Sequence, residues 1–312
     1  NITTLRSKKG HYKKLPKELG VTEIGSWDEV KNIKFDIAII SNPTSLHLEA
    51  ASNVSKYVKG VFIEKPLSSS LGKCQELIDS LHAKQVISFV GHNLMFHPII
   101  KNIIKFYEEN DVGEIINIQC QAGQWLPDWH PYEDYTKAYY ARKDLGGGVA
   151  LSLIHEIHLA LELAGLPTHV FGEITEYQQL NLDVDVCSDL MIKHKSGAVS
   201  QVHLDFLQMP SHRSGLVTFE RAWLSYDFSK MEITVQNINE EPYELFKNSD
   251  YDPNKMYIDE LKEFVRMVEE GRVKHKFDAL SSLESLKVVE GLFKSDETGK
   301  RIEIERNERH TF

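Results

Sequence analysis

Gly60-Val61-Phe62-Ile63-Glu64-Lys65-Pro66 is the stretch on which the fold turns. Its opening is continuously apolar rather than alternating, the pattern of a strand covered on both faces, as in a parallel sheet. Working outward, Phe35-Asp36-Ile37-Ala38-Ile39-Ile40 lies upstream and Val86-Ile87-Ser88-Phe89-Val90 downstream. Both are rich in β-branched residues. Residues 45–58 and 68–83 read as the helices between them, the second with Leu71, Cys74, Leu77, Ile78 and Leu81 on one face. Strand–helix alternation at this spacing predicts an N-terminal Rossmann-like, doubly wound parallel sheet.

Further upstream, Ile2-Thr3-Thr4-Leu5 reads as a strand followed by a polar, basic loop. A dinucleotide-binding sheet needs an earlier strand and a Gly-rich turn, and no G-x-G-x-x-G occurs in the sequence. The simplest expectation is that one βα unit, about 25–30 residues, precedes Asn1. Downstream of Gly91 the pattern changes. Pro98 opens a helix to about Glu109. Strand-like segments follow at 115–121, 170–177, 184–194, 198–206, 216–219, 222–227 and 231–237, interrupted by one helix at 149–164 and closed by helices near 256–269 and 279–295. These predict a C-terminal α+β domain with a large, mostly antiparallel open sheet. The expected domains are 1–92, dinucleotide-binding and N-terminally incomplete, and 93–312, for substrate and oligomerisation.

The 312 residues are 41% hydrophobic and 26% charged, enough to build two cores behind a polar surface. A net charge of −10 argues against nucleic-acid or anionic-membrane partners, which need a basic face. No apolar run approaches the roughly 18 residues of a membrane span. Cys74, Cys120 and Cys187 are scattered and lack CxxC spacing, which fits reduced thiols and a cytoplasmic location.

Five constellations carry candidate chemistry. Lys65 stands at the carboxyl end of a parallel strand, where open α/β sheets bind ligands, and could assist proton transfer at a reacting hydroxyl. Pro66 is a candidate for a cis peptide bond. Read alone, the tripeptide is more readily a surface lysine ending a strand. Gly146-Gly147-Gly148 precedes a helix on which His155 and His158 share a face. A His155–His158 metal pair lacks an obvious third ligand, and no metal is expected. Residues 124–143 gather Trp125, Trp129, Tyr132, Tyr135, Tyr139 and Tyr140 around Asp128, a composition suited to sugar binding or to covering an interface. Asn42-Pro43-Thr44, with His47, forms a turn and helix start suited to a cofactor phosphate or ribose. Arg6 and Ser7 end the first strand with no acidic residue beside them, which leans the cofactor towards NADP rather than NAD.

In this order, Asn42-Pro43…His47, Glu64-Lys65-Pro66, Gly91-His92-Asn93-Leu94-Met95-Phe96-His97-Pro98 and Gly146-Gly147-Gly148…His155 resemble the glucose–fructose oxidoreductase / inositol dehydrogenase (Gfo/Idh/MocA) family. The resemblance spans essentially the whole chain. It implies an NAD(P)-dependent oxidoreductase that moves hydride between nicotinamide and a carbinol carbon of a sugar, cyclitol or nucleotide sugar. It further implies a homodimer or homotetramer formed through the C-terminal sheet. Lys65 and His155 would be catalytic, with His155 taking the hydroxyl proton. Glu64 would neighbour the nicotinamide ribose, and Asn93 would meet nicotinamide and substrate. Asp128, Trp129 and Tyr139 would line the substrate pocket. The family's customary acidic residues shortly before and three after the histidine are Ser152 and His158 here, and a customary Arg is Met95. A non-catalytic dinucleotide- or sugar-sensing or scaffold relative is the competing expectation, and a hydrolase on a His155–His158 metal pair a third.

Overall fold

The computed structural model describes residues 1–6 and 20–305; Ser7 lies outside them. The chain begins with strand β1 (Thr3–Leu5), β2 (Thr22–Ile24), the short helix α1 (Trp27–Val30) and β3 (Ile37–Ile40). Helix α2 (His47–Val54), β4 (Gly60–Glu64), α3 (Cys74–Ala83) and β5 (Ile87–Gly91) follow. Strands β3, β4 and β5 form a parallel sheet in that order, as the apolar runs predict. Strands β1 and β2 make a separate parallel pair, and β2 was not foreseen because its three residues carry no pattern. Helix α3 is shorter than expected: it starts at Cys74, after turns over 68–73, while Cys74, Leu77, Ile78 and Leu81 are buried as the periodicity requires.

Helix α4 (Pro98–Glu109) starts on Pro98, with His97 Nδ1 accepting the Ile99 N–H as its cap. Then come β6 (Ile115–Gly123), α5 (Val149–Ser152), α6 (His155–Ala164), β7 (Pro167–Thr175), β8 (Cys187–His194) and β9 (Val199–Asp205). The chain continues with β10 (His212–Phe219), β11 (Ala222–Asp227), β12 (Glu232–Asn237), β13 (Tyr243–Lys247), α7 (Asn254–Glu270), α8 (Ala279–Thr298) and β14 (Ile302–Glu303). Nine strands make one sheet, ordered β13-β12-β11-β10-β6-β9-β8-β7-β14, antiparallel except for the parallel β6–β9 pair. Strands β13 and β14 add to the expected set.

Alternation sorts the faces of this sheet. On β8, Ser188, Leu190, Ile192 and His194 are buried on the side covered by helices, while Asp189 and Met191 stand exposed on the other. Gly172 on β7 permits close approach to α8, where a Cβ would lie 2.6 Å from Leu292, and its N–H donates to Ser295 Oγ at 2.9 Å.

The C-terminal helices also return to the N-terminal sheet. Phe264 of α7 packs edge-on against Phe62 of β4 at 5.6 Å, and Phe62 stacks on Phe89 of β5 at 5.4 Å. Gly60 faces Val268 and Phe264 so tightly that a Cβ would clash. The second face of β4 and β5 is thus covered from the far end of the chain, which explains why β4 reads as apolar on both sides. Among the described residues no single helix is long and apolar enough to cross a membrane.

One expectation fails. Residues 149–164 are not one helix but α5 and α6, and the segment Lys143–Ser152 meets α6 at a bend of 49°. A continuous helix would join Glu156 N–H to Ser152 O. Instead Glu156 N–H reaches Leu153 O at 3.5 Å, and a lysine side chain takes the Ser152 carbonyl. Side-chain insertion into the helical ladder is a recognised cause of such a bend.

Candidate active site

That lysine is Lys65. Its Nζ donates to Ser152 O at 2.5 Å, from the end of β4 into the break between α5 and α6. The Lys65-Pro66 peptide bond is cis. The turn is held by His47, which is buried, with Nδ1 2.8 Å from Pro66 O and Nε2 3.0 Å from Asn42 O. His47, expected at the cofactor, therefore ties the Asn42-Pro43 turn to the Lys65-Pro66 turn. Thr44 is buried and opens the 3-10 turn Thr44–Leu46. Asn42 Oδ1 is buried without a hydrogen-bond partner.

The glycine run sets the other wall. Gly146 has φ +79° and fits against Ser69 and Thr44, where a Cβ would lie within 3 Å of both side chains. Gly148 has φ +117°, open only to glycine, and abuts Asp185. Asp185 caps α5: its Oδ2 accepts from Ala150 N–H at 2.8 Å and its backbone carbonyl from Val149 N–H at 2.9 Å. No sequence motif marks Asp185.

His155 opens α6, buried, with Nδ1 lacking a partner in the protein. Around it lie two further buried imidazoles. His92 stacks on His158 at 3.6 Å and meets His155 edge-on at 6.1 Å. Ser282 and Ser285 of α8 hold His92 and His158 at 3.1 and 3.2 Å. Among the described residues no third ligand closes on His155 and His158 to complete a metal site.

The electrostatics divide the roles. Burial pushes Lys65 down to about 8; nearby Arg213 adds to this, while Glu64 and Glu156 oppose it. Burial, then the Lys65 and Arg213 cations, hold His155 well below the usual histidine range, so it is neutral. Burial raises Glu64. Burial, then Glu64, pushes Glu260 of α7 up to about 9. Glu156 is buried and paired with Arg213 Nε at 2.6 Å. Arg213 and Glu260 escaped sequence reasoning because nothing in β10 or α7 marks them locally.

The remaining expected residues scatter. Asn93 lies beside Tyr257 of α7, whose phenol is pushed up by burial and then by Glu64. Tyr139 is partly exposed and lies within electrostatic reach of Glu64. Trp129 packs into the core against Tyr140 and Phe206, at 5.1 and 5.3 Å, rather than presenting an open ring. Asp128 is exposed in the 3-10 turn Leu126–Asp128. Arg6 lies 3.6 Å from Glu23 of β2, so an acidic group absent from its sequence neighbourhood is supplied across the β1–β2 pair.

The family profile described as "Oxidoreductase family, NAD-binding Rossmann fold" matches residues 3–92, and the "GFO/IDH/MocA C-terminal domain" matches residues 100–225. Myo-inositol 2-dehydrogenase of Thermotoga maritima is 23% identical over 78% of this chain and 72% of its own length. The 2,7-anhydro-N-acetylneuraminate hydratase of Escherichia coli is 25% identical over 52% of this chain, a match covering 41% of that protein. The chain thus spans about two fifths of the length of several curated relatives it matches. In three dimensions, apo levoglucosan dehydrogenase superposes with a TM-score of 0.86 at 15% identity, covering 98% of this chain and 90% of that one. The same enzyme with NADH and levoglucosan gives 0.83 at 16%, covering 93% and 86%. Two profile matches in tandem, on a fold with Lys65, Asn93 and His155 in the expected order, identify the chain as a member of the Gfo/Idh/MocA oxidoreductase family.

Proposed function

We propose that this protein is a nicotinamide-dependent oxidoreductase acting on a CH–OH group of a sugar-like substrate, with Lys65 and His155 handling the hydroxyl proton. The observation that carries this reading is Lys65 Nζ, held by Ser152 O in the gap between the helix carrying His155 and the end of a parallel strand. Residues 1–92 would hold the dinucleotide and residues 93–312 the substrate.

The residues present fit the nicotinamide half of such a cofactor. Asn42, Glu64 and Asn93 stand at or just beyond the carboxyl ends of three adjacent parallel strands, and Asn42 Oδ1 is buried without a partner. When bound, a nicotinamide supplies the hydride acceptor or donor. The Glu23 carboxylate 3.6 Å from Arg6 weakens the lean towards NADP, so we propose NAD as the better fit and NADP as the alternative.

Within the site, Lys65 is the better proton acceptor. A group titrating near 8 exchanges protons at working pH, whereas a neutral His155 hemmed in by two cations resists becoming imidazolium. His155 would then orient the hydroxyl through its free Nδ1, reversing the division of labour expected from the sequence. The exposed face of the nine-stranded sheet, with a concavity of about 860 Å³ including Phe171, Met191 and Leu216, is our candidate for self-association. The buried, unpaired cysteines fit a reducing compartment.

A sensor without turnover is the second reading, favoured by His158, a neutral side chain three residues after His155. Incubation with NAD and a panel of aldoses, cyclitols and anhydrosugars separates the two. Following both cofactor absorbance and product also detects a reaction with no net redox change. Dinucleotide binding without conversion of any sugar favours the sensor.

A further inference from the structure

On the outer face of the nine-stranded sheet, opposite the helices, β8 and β9 assemble a second set of reactive side chains. The antiparallel register pairs Cys187 with Asp205 and Asp189 with His203. Residues two apart on a strand share a face, so the four side chains form a square on one side of the sheet. His203 lies between the carboxylates, with Nδ1 2.7 Å from Asp189 Oδ1 and Nε2 3.1 Å from Asp205 Oδ2. Cys187 Sγ is 4.0 Å from Asp189 Oδ2. Asp205 is fixed independently, because its Oδ1 accepts the Leu207 and Gln208 backbone N–H groups at 2.7 and 2.6 Å. Cys187 and Asp205 are buried and Asp189 is exposed, so the cluster has one closed and one open side.

We propose that Cys187, Asp189 and His203 bind a divalent transition-metal ion of the zinc class, with Asp205 orienting His203. A thiolate, an imidazole and a carboxylate are a ligand set that zinc accepts. Bonds of about 2.0–2.3 Å in a tetrahedral site set ligand atoms roughly 3.3–3.8 Å apart. The donor atoms of the three residues already lie within 4.8 Å of one another, so side-chain rotation suffices. Asp205 supplies what metal-binding histidines need, a carboxylate on the other ring nitrogen, leaving Nδ1 directed at Asp189. Metal entry releases two protons to solvent, one from the Cys187 thiol and one from between His203 Nδ1 and Asp189. Three protein ligands leave the fourth position open on the sheet face proposed above for self-association. An ion triad alone would explain the two carboxylates but not the thiol beside them.

The test is titration of untagged protein with Zn²⁺ against a chromophoric chelator, then with Co²⁺, whose thiolate bond gives a charge-transfer band. One ion per chain is expected. Cys187→Ser removes the Co²⁺ band. Asp189→Asn, at an exposed position where folding is not at stake, weakens Zn²⁺ binding. Asp205→Asn weakens it about 10–100-fold while keeping the band. His155→Ala leaves binding unchanged. Absence of stoichiometric binding, or binding indifferent to both Cys187→Ser and Asp189→Asn, overturns the proposal.

Discussion

Lys65 Nζ bonds the carbonyl oxygen of Ser152, 87 residues away in sequence, and that bond joins the end of a parallel strand to a broken helix. The break and the lysine account for each other. The helix gives up the Glu156 N–H to Ser152 O bond, and the lysine gains a fixed position beside His155.

The first prediction concerns pH. Lys65 titrates near 8, so below that pH it is an ammonium and cannot accept a proton. The kcat/KM for alcohol oxidation should rise with pH and level off above about 8, and carbonyl reduction should show the opposite trend. A profile of the wild-type enzyme in both directions checks this, and two flat profiles across that range would count against Lys65 as the base.

A second prediction follows from Glu260, which is 2% exposed. Its folded pKa is raised to about 9 from 4.5, so the folded state holds a proton that the unfolded chain releases, and stability falls as pH rises between those values. Glu260→Gln should therefore stabilise the protein at pH near 8 by about 1–3 kcal/mol and do little near pH 4. Denaturant unfolding at the two pH values reads the difference.

Arg213, 26% exposed, pairs with the buried Glu156 carboxylate, 3% exposed. Arg213→Met should cost about 3–5 kcal/mol by leaving Glu156 unpaired, and adding Glu156→Met should recover most of it. Arg213 also depresses Lys65, so the rise of the oxidation rate profile with pH should move to higher pH in Arg213→Met. Unfolding curves and the pH profile together separate the structural effect from the electrostatic one.

Two glycines offer a matched comparison. Both Gly148 and Gly197 have positive φ, but a Cβ at Gly148 meets Asp185 Oδ1 at 2.0 Å, while at Gly197 it meets nothing within 4 Å. Gly197→Ala should cost only the left-handed backbone penalty of about 1–2 kcal/mol. Gly148→Ala should cost more and also displace the Asp185 cap of α5. Equal melting temperatures for the two variants would contradict the packing described here.

Much of this was legible in the sequence. Strands buried on both faces betray themselves as continuous apolar runs, so β4 and β5 were readable within a few residues, and β3 shares the apolar run although Ile39 is exposed. Strands β11 and β12 alternate cleanly and were also found. What escaped were elements defined by partners rather than patterns. Strand β2 exists because β1 pairs with it, and β14 because β7 does. The bend between α5 and α6 could not be read because its cause is a lysine from another element. The site divides in the same way. Lys65 and His155 sit at marked positions, and the structure brings their surroundings together. Arg213, Glu260 and Asp185 reach the site only through tertiary packing. Trp129, a plausible sugar platform in sequence, turns inward to fill the space beside Phe206.

The most direct test is the rate of nicotinamide reduction with an accepted sugar, measured for the wild type, Lys65→Ala and His155→Ala, alongside dinucleotide affinity. We predict that Lys65→Ala and His155→Ala each lose about 10²–10⁴ in kcat, the usual worth of a positioned proton-transfer group, while dinucleotide affinity stays near wild type. Turnover by either variant at the wild-type rate, with the fold intact, would contradict the account.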